Sequence, residues 1–408
     1  MKKHTTLFSK EIDFREYLPI ITPIEGNKYK TNIWDIPFSI KKISYLTHSH
    51  YRYYGKFPSV VAGQILDELK PPSDEYYVLD NFCGSGTTLV EAKLRGIDSI
   101  GIDISWLSVM ASNIKSAHID IKTIKKELLK LTEIFDELQQ NIDIPIDDFT
   151  SKWFSIEATR DLACIQEYLV SMKESQEKHF LLIAFIGIVR RVSKAHDGEV
   201  RPHINKNKRV REVLPAYSKK VIDMCNNHIE FMAITDENII SKCIHGNNLE
   251  LSNIKIKKKC YLAISHPPYL NSFNYAPVYN LEFYWGRPFE EKYSKAINFH
   301  KNELKAHPAS EKITQGYFEH LRKCYLEVYN LQEVGSYLVV VIGDCTRNGK
   351  VIPVIDNLVD IIENIGYKVH EINYRTTHYS LGKYAYKHRA DYHGDEAEKK
   401  DGVLIFKK

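Results

Sequence analysis

The sequence of 408 residues lacks the long apolar segments that identify membrane proteins and secreted precursors. Its longest apolar run, residues 180–189, has ten residues, whereas a helix needs about 20 to cross a bilayer. The polar N-terminus has no apolar core of the signal-peptide type. These absences predict a cytoplasmic protein without a membrane segment.

Cysteine is also scarce. Seven cysteines are scattered along the chain, and none stands in a Cys-x-x-Cys pair. An odd number of widely spaced cysteines is typical of reduced thiols, so we expect no disulfide framework, no zinc site and no other metal centre. What is present, 43% hydrophobic residues with mixed charges, is typical of a globular protein large enough for two structural units.

Positive charge is concentrated in one segment. Residues 190–220 contain ten lysines and arginines against three acids, a local charge of +7 in a chain whose net charge is +4. This concentration favours phosphate contact over a face that is merely solvated. The cations expected to contact nucleic acid are Arg190, Arg191, Lys194, Arg201, Lys206, Lys208, Arg209 and Arg211.

Strand and helix patterns alternate over most of the chain. The seven predicted strands are residues 76–82, 99–104, 242–245, 260–265, 335–343, 367–375 and 402–407. Helical patterns between several of them predict an α/β fold with a mostly parallel, doubly wound sheet. The last two strands are separated only by a polar loop, which predicts an antiparallel hairpin at the sheet edge.

A long helical interval separates the second and third predicted strands. Such a connection normally takes a handful of residues, so residues 119–241 are interpreted as an inserted domain. The chain then divides into residues 1–118, which hold an N-terminal segment and the first half of the α/β domain, the insert, and residues 242–408, which hold the second half.

A glycine turn follows the first predicted strand, in the run Asp80-Asn81-Phe82-Cys83-Gly84-Ser85-Gly86-Thr87-Thr88. Strand, glycine turn and helix together bring backbone amides against a nucleotide-like ligand, and Gly84 and Gly86 are expected to leave room for it. Asp103 ends the second predicted strand, seventeen residues after Gly86. An acid there is typical of ribose recognition, the alternative being a solvated turn aspartate.

A second motif, Ser265-His266-Pro267-Pro268-Tyr269, ends the fourth predicted strand. With the glycine turn, it resembles the motifs of the S-adenosylmethionine-dependent DNA methyltransferases that modify exocyclic amino groups, the N4-cytosine and N6-adenine enzymes. Residues 50–58 and 341–344 resemble further parts of that family, whereas the insert has no counterpart in its usual sheet.

The resemblance implies a Rossmann-like class I methyltransferase fold with a seven-stranded, mostly parallel sheet and a final antiparallel hairpin, to which this chain adds its insert. It also implies S-adenosyl-L-methionine as cofactor. The residues expected to bind the cofactor are Phe57, Asp80, Phe82, Cys83, Gly84, Gly86, Thr87, Asp103 and Asn247. Phe57 and Phe82 are equally compatible with ordinary core packing.

The catalytic assignment rests on hydrogen-bond acceptors. A base amine is a poor nucleophile because its lone pair is delocalised, and acceptors localise that pair for attack on the methylsulfonium. By resemblance the acceptors are the side chain of His266 and the carbonyl of Pro267, whose direction the ring of Pro268 helps to fix. Tyr269 is expected to stack on a base swung out of the helix.

His266 is a departure, because the family has Asp, Asn or Ser at that position. Neutral imidazole has one acceptor nitrogen and imidazolium has none, so activity is predicted to fall with pH through the histidine range. Ser265 could serve instead if the strand ended differently. A silent subunit that binds cofactor and nucleic acid is the alternative.

The substrate is predicted to be double-stranded DNA, modified in a restriction or defence system with a companion endonuclease. No Pro-Cys dipeptide occurs, which excludes the cysteine nucleophile of C5-cytosine methyltransferases and favours an amino nitrogen, N4 of cytosine slightly over N6 of adenine. Tyr275, in an aromatic stretch after the prolines, is expected to help hold the base, and the insert to recognise the target. A structured-RNA methyltransferase and a nicotinamide oxidoreductase remain as rivals.

Overall fold

A nine-stranded sheet forms the centre of the protein in the computed structural model. The structure describes residues 16–39, 41–254, 256–271, 274–293, 303–306, 310–347, 350–377 and 401–408. The strands of the sheet are β1 (Ile20–Ile24), β2 (Thr31–Ile36), β3 (Tyr76–Asp80), β4 (Ser99–Asp103), β5 (Ser241–His245), β6 (Lys259–Ser265), β7 (Gln332–Gly343), β10 (Lys368–Thr377) and β11 (Asp401–Lys407). A separate small hairpin is made of β8 (Cys345–Arg347) and β9 (Lys350–Ile352).

The strand order is β1-β2-β10-β11-β7-β6-β3-β4-β5. Strands β3 to β7 are parallel, while β11 lies between β7 and β10 and is antiparallel to both. The chain runs outward from β3 to β5 on one side and from β6 to β11 and β10 on the other. The order therefore reverses between β3 and β6, where a crevice for ligands opens at the carboxyl ends of the strands.

This order confirms the predicted Rossmann-like methyltransferase fold and all seven predicted strands. The sheet is larger than expected by β1 and β2, which pair beyond β10, so the final hairpin does not form the edge. Strand β1 is exposed and contains Pro23, as edge strands tolerate, and this makes its sequence pattern weak.

The helices begin with α1 (Ser59–Glu68), α2 (Thr87–Leu94) and α3 (Trp106–Ser116), continue through the insert as α4 (Ile121–Glu133), α5 (Phe135–Asn141), α6 (Asp148–Trp153), α7 (Ile156–Ser171), α8 (Gln176–Val189) and α9 (Val213–Ile234), and end with α10 (Tyr275–Val278), α11 (Asn280–Tyr293), α12 (Glu311–Leu331) and α13 (Val354–Ile365). Both faces of the sheet are covered. In β7, Leu338 and Val340 face the side of α12 and α13, while Val339 and Val341 pack on the side of α1. Burial on both faces explains why β7 reads as a continuous apolar run.

The insert shares its core with the rest of the protein. Its helices pack in one apolar cluster with α3 and α11. The apolar run that ends α8 lies at the centre of this cluster, and Phe180, Phe185 and Val189 are fully buried there. Among the described residues, no helix has both the length and the apolar character to cross a membrane. All seven cysteines are buried free thiols.

Candidate cofactor pocket and catalytic segment

The glycine turn joins β3 to α2 with two left-handed residues, Gly84 (φ +51°) and Gly86 (φ +75°). A Cβ on Gly86 would lie 2.8 Å from atoms of Ser112, whereas one on Gly84 would approach the ring of Tyr53 at 3.1 Å. Gly86 is therefore needed for its backbone conformation and for packing against α3. This corrects the expectation that Gly86 clears space for a ligand.

Asp103 lies at the end of β4, beside the turn. Its carboxylate accepts hydrogen bonds from the backbone N–H groups of Gly84 and Ser105, both at 2.8 Å. Burial nevertheless raises the pKa of the Asp103 carboxyl to about 7. The same cause raises the pKa of Asp80, at the end of β3, to about 6. Two desolvated carboxylates at one end of a crevice favour a ligand that brings positive charge or hydroxyl donors.

A single cavity connects the glycine turn with the proline motif. Among its lining residues are the predicted residues Phe57, Asp80, Phe82, Cys83, Gly84, Thr87, Asp103, Asn247, His266, Pro268 and Tyr275. The two motifs thus meet at one site although 181 positions separate Gly86 from Pro267. Asn247 already accepts the N–H of Leu249 at 3.0 Å, and its carbonyl oxygen has a second lone pair for a ligand.

The proline motif is held by aromatic side chains. The ring of His266 stacks on Phe57, with centroids 5.0 Å apart and planes at 19°, and meets Tyr269 edge-on at 5.4 Å. Helix α12 fixes the backbone on the other side, because the hydroxyl of Tyr317 donates to the Pro268 carbonyl at 2.8 Å. Of the two proline carbonyls, that of Pro268 is thus already a hydrogen-bond acceptor within the protein.

Four of the predicted cofactor-binding and catalytic residues do not line the cavity: Gly86, Ser265, Pro267 and Tyr269. Ser265 is fully buried, and its hydroxyl donates to Tyr325 at 3.4 Å. Ser265 is thereby held inside the sheet by α12, whereas His266, one position later, reaches the cavity.

The family comparison agrees with this geometry. Residues 4–113 match the sequence profile of the family described as DNA methylase, a stretch that includes the glycine turn and Asp103. Over this stretch, about a quarter of its length, the chain is similar to the DNA methylases. The resemblance read from its motifs is confirmed.

Two similar proteins are Type II methyltransferases. M.MjaII of Methanocaldococcus jannaschii is 33% identical over 142 residues, which cover 32% of this chain and 26% of that protein. M.MvaI of Kocuria varians is 29% identical over 167 residues, which cover 38% of this chain and 36% of that protein. The chain thus spans about a quarter to a third of the length of these relatives.

Among solved structures, an rRNA methyltransferase, aviRa of Streptomyces viridochromogenes, aligns with 86% of this chain and 86% of its own. The identity is 10% and the TM-score 0.34. The Rossmann-like methyltransferase fold is therefore supported by the strand order and not by this alignment.

Sequence reasoning missed half of the lining. These residues are Tyr53, Gly55, Asn81, Ser85, Ile102, Ile104, Gly246, Asn248, Glu303, Leu304 and His320. Most of them are neighbours of predicted residues and could have been found by extending each motif. Glu303, Leu304 and His320 had no local signal, because they reach the cavity from the segment before α12 and from α12 itself. Burial lowers the pKa of His320.

Most of the predicted phosphate-binding cations are exposed. Arg191, Arg201, Lys206, Arg209 and Arg211 extend from the loop between α8 and α9. Lys194 is half-buried and donates to the carbonyl of Ser151 at 3.1 Å.

Arg190 and Lys208 instead bind the protein itself. Arg190 is buried, donates to the carbonyls of Glu199 and Val200 at 3.0 Å, and lies 3.6 Å from the carboxylate of Glu282. Lys208 donates to the carbonyls of Arg190 and Ala195 at 2.9 and 2.8 Å. The expectation for these two cations is corrected, because both side chains are buried within the fold, where they hold the loop in place.

Arg190 also connects the loop between α8 and α9, called the basic loop below, with residues beside the cavity. The guanidinium of Arg190 donates to the hydroxyl of Tyr54, next in the chain to the cavity-lining Tyr53. Tyr53 stacks in turn on Tyr275, with ring centroids 5.5 Å apart. Arg190 therefore links the loop between α8 and α9 to the aromatic residues beside the cavity.

Proposed function

We propose that the protein transfers a methyl group from S-adenosyl-L-methionine to an exocyclic amino nitrogen of a flipped base in DNA. The observation that carries the proposal is the single cavity lined both by the glycine turn with Asp103 and by His266 with Pro268. A methyl donor and an amine must meet in one space for direct transfer, and this cavity provides it.

The residues at the β3 and β4 ends fit the cofactor. Asp103 would accept the two ribose hydroxyls, Asn247 the adenine amino group, and Asp80 the methionine ammonium, directly or through the turn amides. The raised pKa values of Asp80 and Asp103 are consistent with sites that a cationic, hydroxyl-bearing ligand completes. When bound, the cofactor supplies an electrophilic methyl group on a sulfonium.

The proline motif would bind the amine. The neutral ring of His266, which lines the cavity, and the carbonyl of Pro267, which lies behind the lining, would accept its hydrogens and so localise the lone pair for in-line attack. The carbonyl of Pro268 already accepts from the Tyr317 hydroxyl, and the proposal assigns the two acceptor roles to His266 and Pro267. The proton lost from the amine then leaves through His266 or to water.

The exposed arginines of the loop between α8 and α9 would contact DNA phosphates, with the insert as target-recognition region. Both curated relatives bear the name Type II methyltransferase, which supports a role in a restriction system with a companion endonuclease and hence a cytoplasmic location. We favour cytosine N4 over adenine N6. The histidine in the family's Asp, Asn or Ser position favours one second candidate, a silent subunit that binds cofactor and DNA.

The proposal is tested with tritiated S-adenosylmethionine and unmethylated genomic DNA, followed by identification of the labelled nucleoside. Label in N4-methylcytosine or N6-methyladenine is the expected result, and an Asp103→Asn variant should lose it. Label in RNA alone would overturn the DNA assignment. Cofactor binding without any label would leave the silent subunit as the function.

A further inference from the structure

A buried ion pair holds the hydroxyl of Tyr269. Arg375 near the end of β10 and Asp401 at the start of β11 are 3% and 4% exposed in their side chains. The Nη2 atom of Arg375 lies 2.8 and 2.9 Å from the two carboxylate oxygens of Asp401 and 3.0 Å from the Tyr269 hydroxyl. Tyr269 in turn donates to Asp401 at 3.2 Å.

This arrangement constrains the ring of Tyr269. A hydroxyl that accepts from a guanidinium and donates to a carboxylate is held by two hydrogen bonds to charged groups, which together restrict its direction. The ring is fixed at its far end by the sheet and at its near end by the backbone after the prolines. Its orientation beside His266 is therefore set by two strands that carry none of the motif residues.

Stability alone does not account for such a pair. A buried ion pair seldom stabilises a protein more than apolar side chains of the same volume would, since both charges must be desolvated. The Arg375–Asp401 ion pair binds the hydroxyl of Tyr269 directly, so it can orient the ring of that tyrosine.

We propose that Arg375 and Asp401 are positioning residues that orient the ring of Tyr269 for stacking on the target base. The inference rests on the proposed function, because the base is the substrate of that reaction. The rival explanation is that Tyr269 only ties the β10–β11 hairpin to the catalytic segment.

The test is a double-mutant cycle on the intact protein with Tyr269→Phe, Asp401→Asn and the combination. The control is Tyr367→Phe, which also removes a buried hydroxyl, one that donates to Gln332 at 2.6 Å. For each variant kcat with saturating cofactor and DNA, the KM for DNA, the cofactor Kd and Tm are measured.

Tyr269→Phe and Asp401→Asn should each lower kcat by at least about fivefold, the lower end of what a lost base stack costs. Cofactor Kd should stay within about twofold, since neither residue lines the cavity. The kcat of the double variant should be no lower than that of the less active single variant, because both substitutions release the same ring. The control should keep its kcat.

Two results would overturn the inference: a Tyr269→Phe variant with wild-type kcat, or single effects that multiply in the combination. If Asp401→Asn does not fold, Tyr269→Phe decides alone, and a lowered Tm with unchanged kcat means a purely structural tie. Failure of the proposed function looks different, because wild-type protein would then transfer no methyl group to DNA.

Discussion

At the scale of single residues, His266 determines how the proposed reaction depends on pH. Its ring lies between Phe57 and Tyr269 on the wall of the cavity. As an acceptor it must be neutral, so kcat at saturating cofactor should fall as pH drops through the histidine range, near 6.5 for an unperturbed ring. His266→Asn keeps an acceptor at every pH and should flatten the profile, while His266→Ala should lower kcat by about 100-fold or more. A wild-type kcat that stays constant from about pH 5.5 to 8 would exclude the acceptor role.

Asp103 makes cofactor affinity depend on pH in a separate way. Its folded-state pKa is raised to about 7 in the free protein, so the carboxyl is largely protonated below that pH and ionised above it. The ionised form is the better acceptor for ribose hydroxyls, and affinity should therefore fall by up to about tenfold per pH unit below pH 7. Calorimetric titration of S-adenosylhomocysteine between pH 5.5 and 8 measures this. Asp103→Asn should bind more weakly and lose the slope between about pH 6 and 7, keeping only the one that Asp80 contributes below about pH 6. A wild-type curve without a slope between pH 6 and 7 would contradict the assignment.

At the scale of elements, the glycine turn depends on its contact with α3. Gly86→Ala places a Cβ 2.8 Å from Ser112 in a residue with left-handed backbone conformation. The free energy of unfolding should fall by about 2–4 kcal/mol. Gly96→Ala is the matched control, with φ +67° and no atom within 4 Å of the added Cβ. Its cost should be about 1–2 kcal/mol, the left-handed penalty alone. Urea unfolding compares the two, and equal losses would show that the Ser112 contact is unimportant.

The basic loop should determine the salt dependence of DNA binding. Changing Arg201, Arg209 and Arg211 together to Gln should reduce the slope of log K against log salt by up to about 2.7, since each duplex phosphate contact contributes about 0.9. Changing Lys122, Lys125 and Lys126, exposed on α4, together to Gln is the charge-matched control and should leave the slope nearly unchanged. Lys208→Gln should lower Tm instead, because Lys208 binds backbone carbonyls. An unchanged slope in the triple variant would remove the loop from the DNA surface.

Long apolar elements could be predicted from the sequence, whereas an exposed edge strand and the contacts of single cations could not. β7 and the apolar part of α8 were visible because burial on all sides requires continuous apolar residues. β1 was missed because an exposed edge strand has no such requirement. Arg190 and Lys208 look like any other cation in the sequence, and only the carbonyls that surround them show that they act inside the fold.

At the scale of the whole molecule, buried histidines should make stability fall in acid. His50 is hydrogen-bonded at 2.8 Å to His228 on α9 of the insert, and burial lowers the pKa of both, that of His228 to about 4. The nearby Lys115 and Lys220 also disfavour a charged His50. Since the unfolded chain binds protons near pH 6.5 and the folded one does not, stability is retained above 6.5 and lost as pH falls below it.

Each histidine should contribute up to about 1.4 kcal/mol of destabilisation per pH unit below 6.5. Thermal unfolding between pH 5 and 8 measures the effect, and His228→Gln should have a shallower dependence than the wild type. Identical pH profiles for the two proteins would contradict the stated origin.

The sequence alone determined the α/β class, the seven core strands and the two motifs, because strand burial, glycine turns and proline pairs depend on local chemistry. It also determined that the insert is helical. The tertiary structure decided which residues contact each other. Gly86 packs on Ser112, Glu303 and His320 line the cavity, and Arg375 and Asp401 bind the hydroxyl of Tyr269. Such contacts join residues many positions apart, and their partners are chosen by sheet order and helix packing, which no short stretch of sequence records.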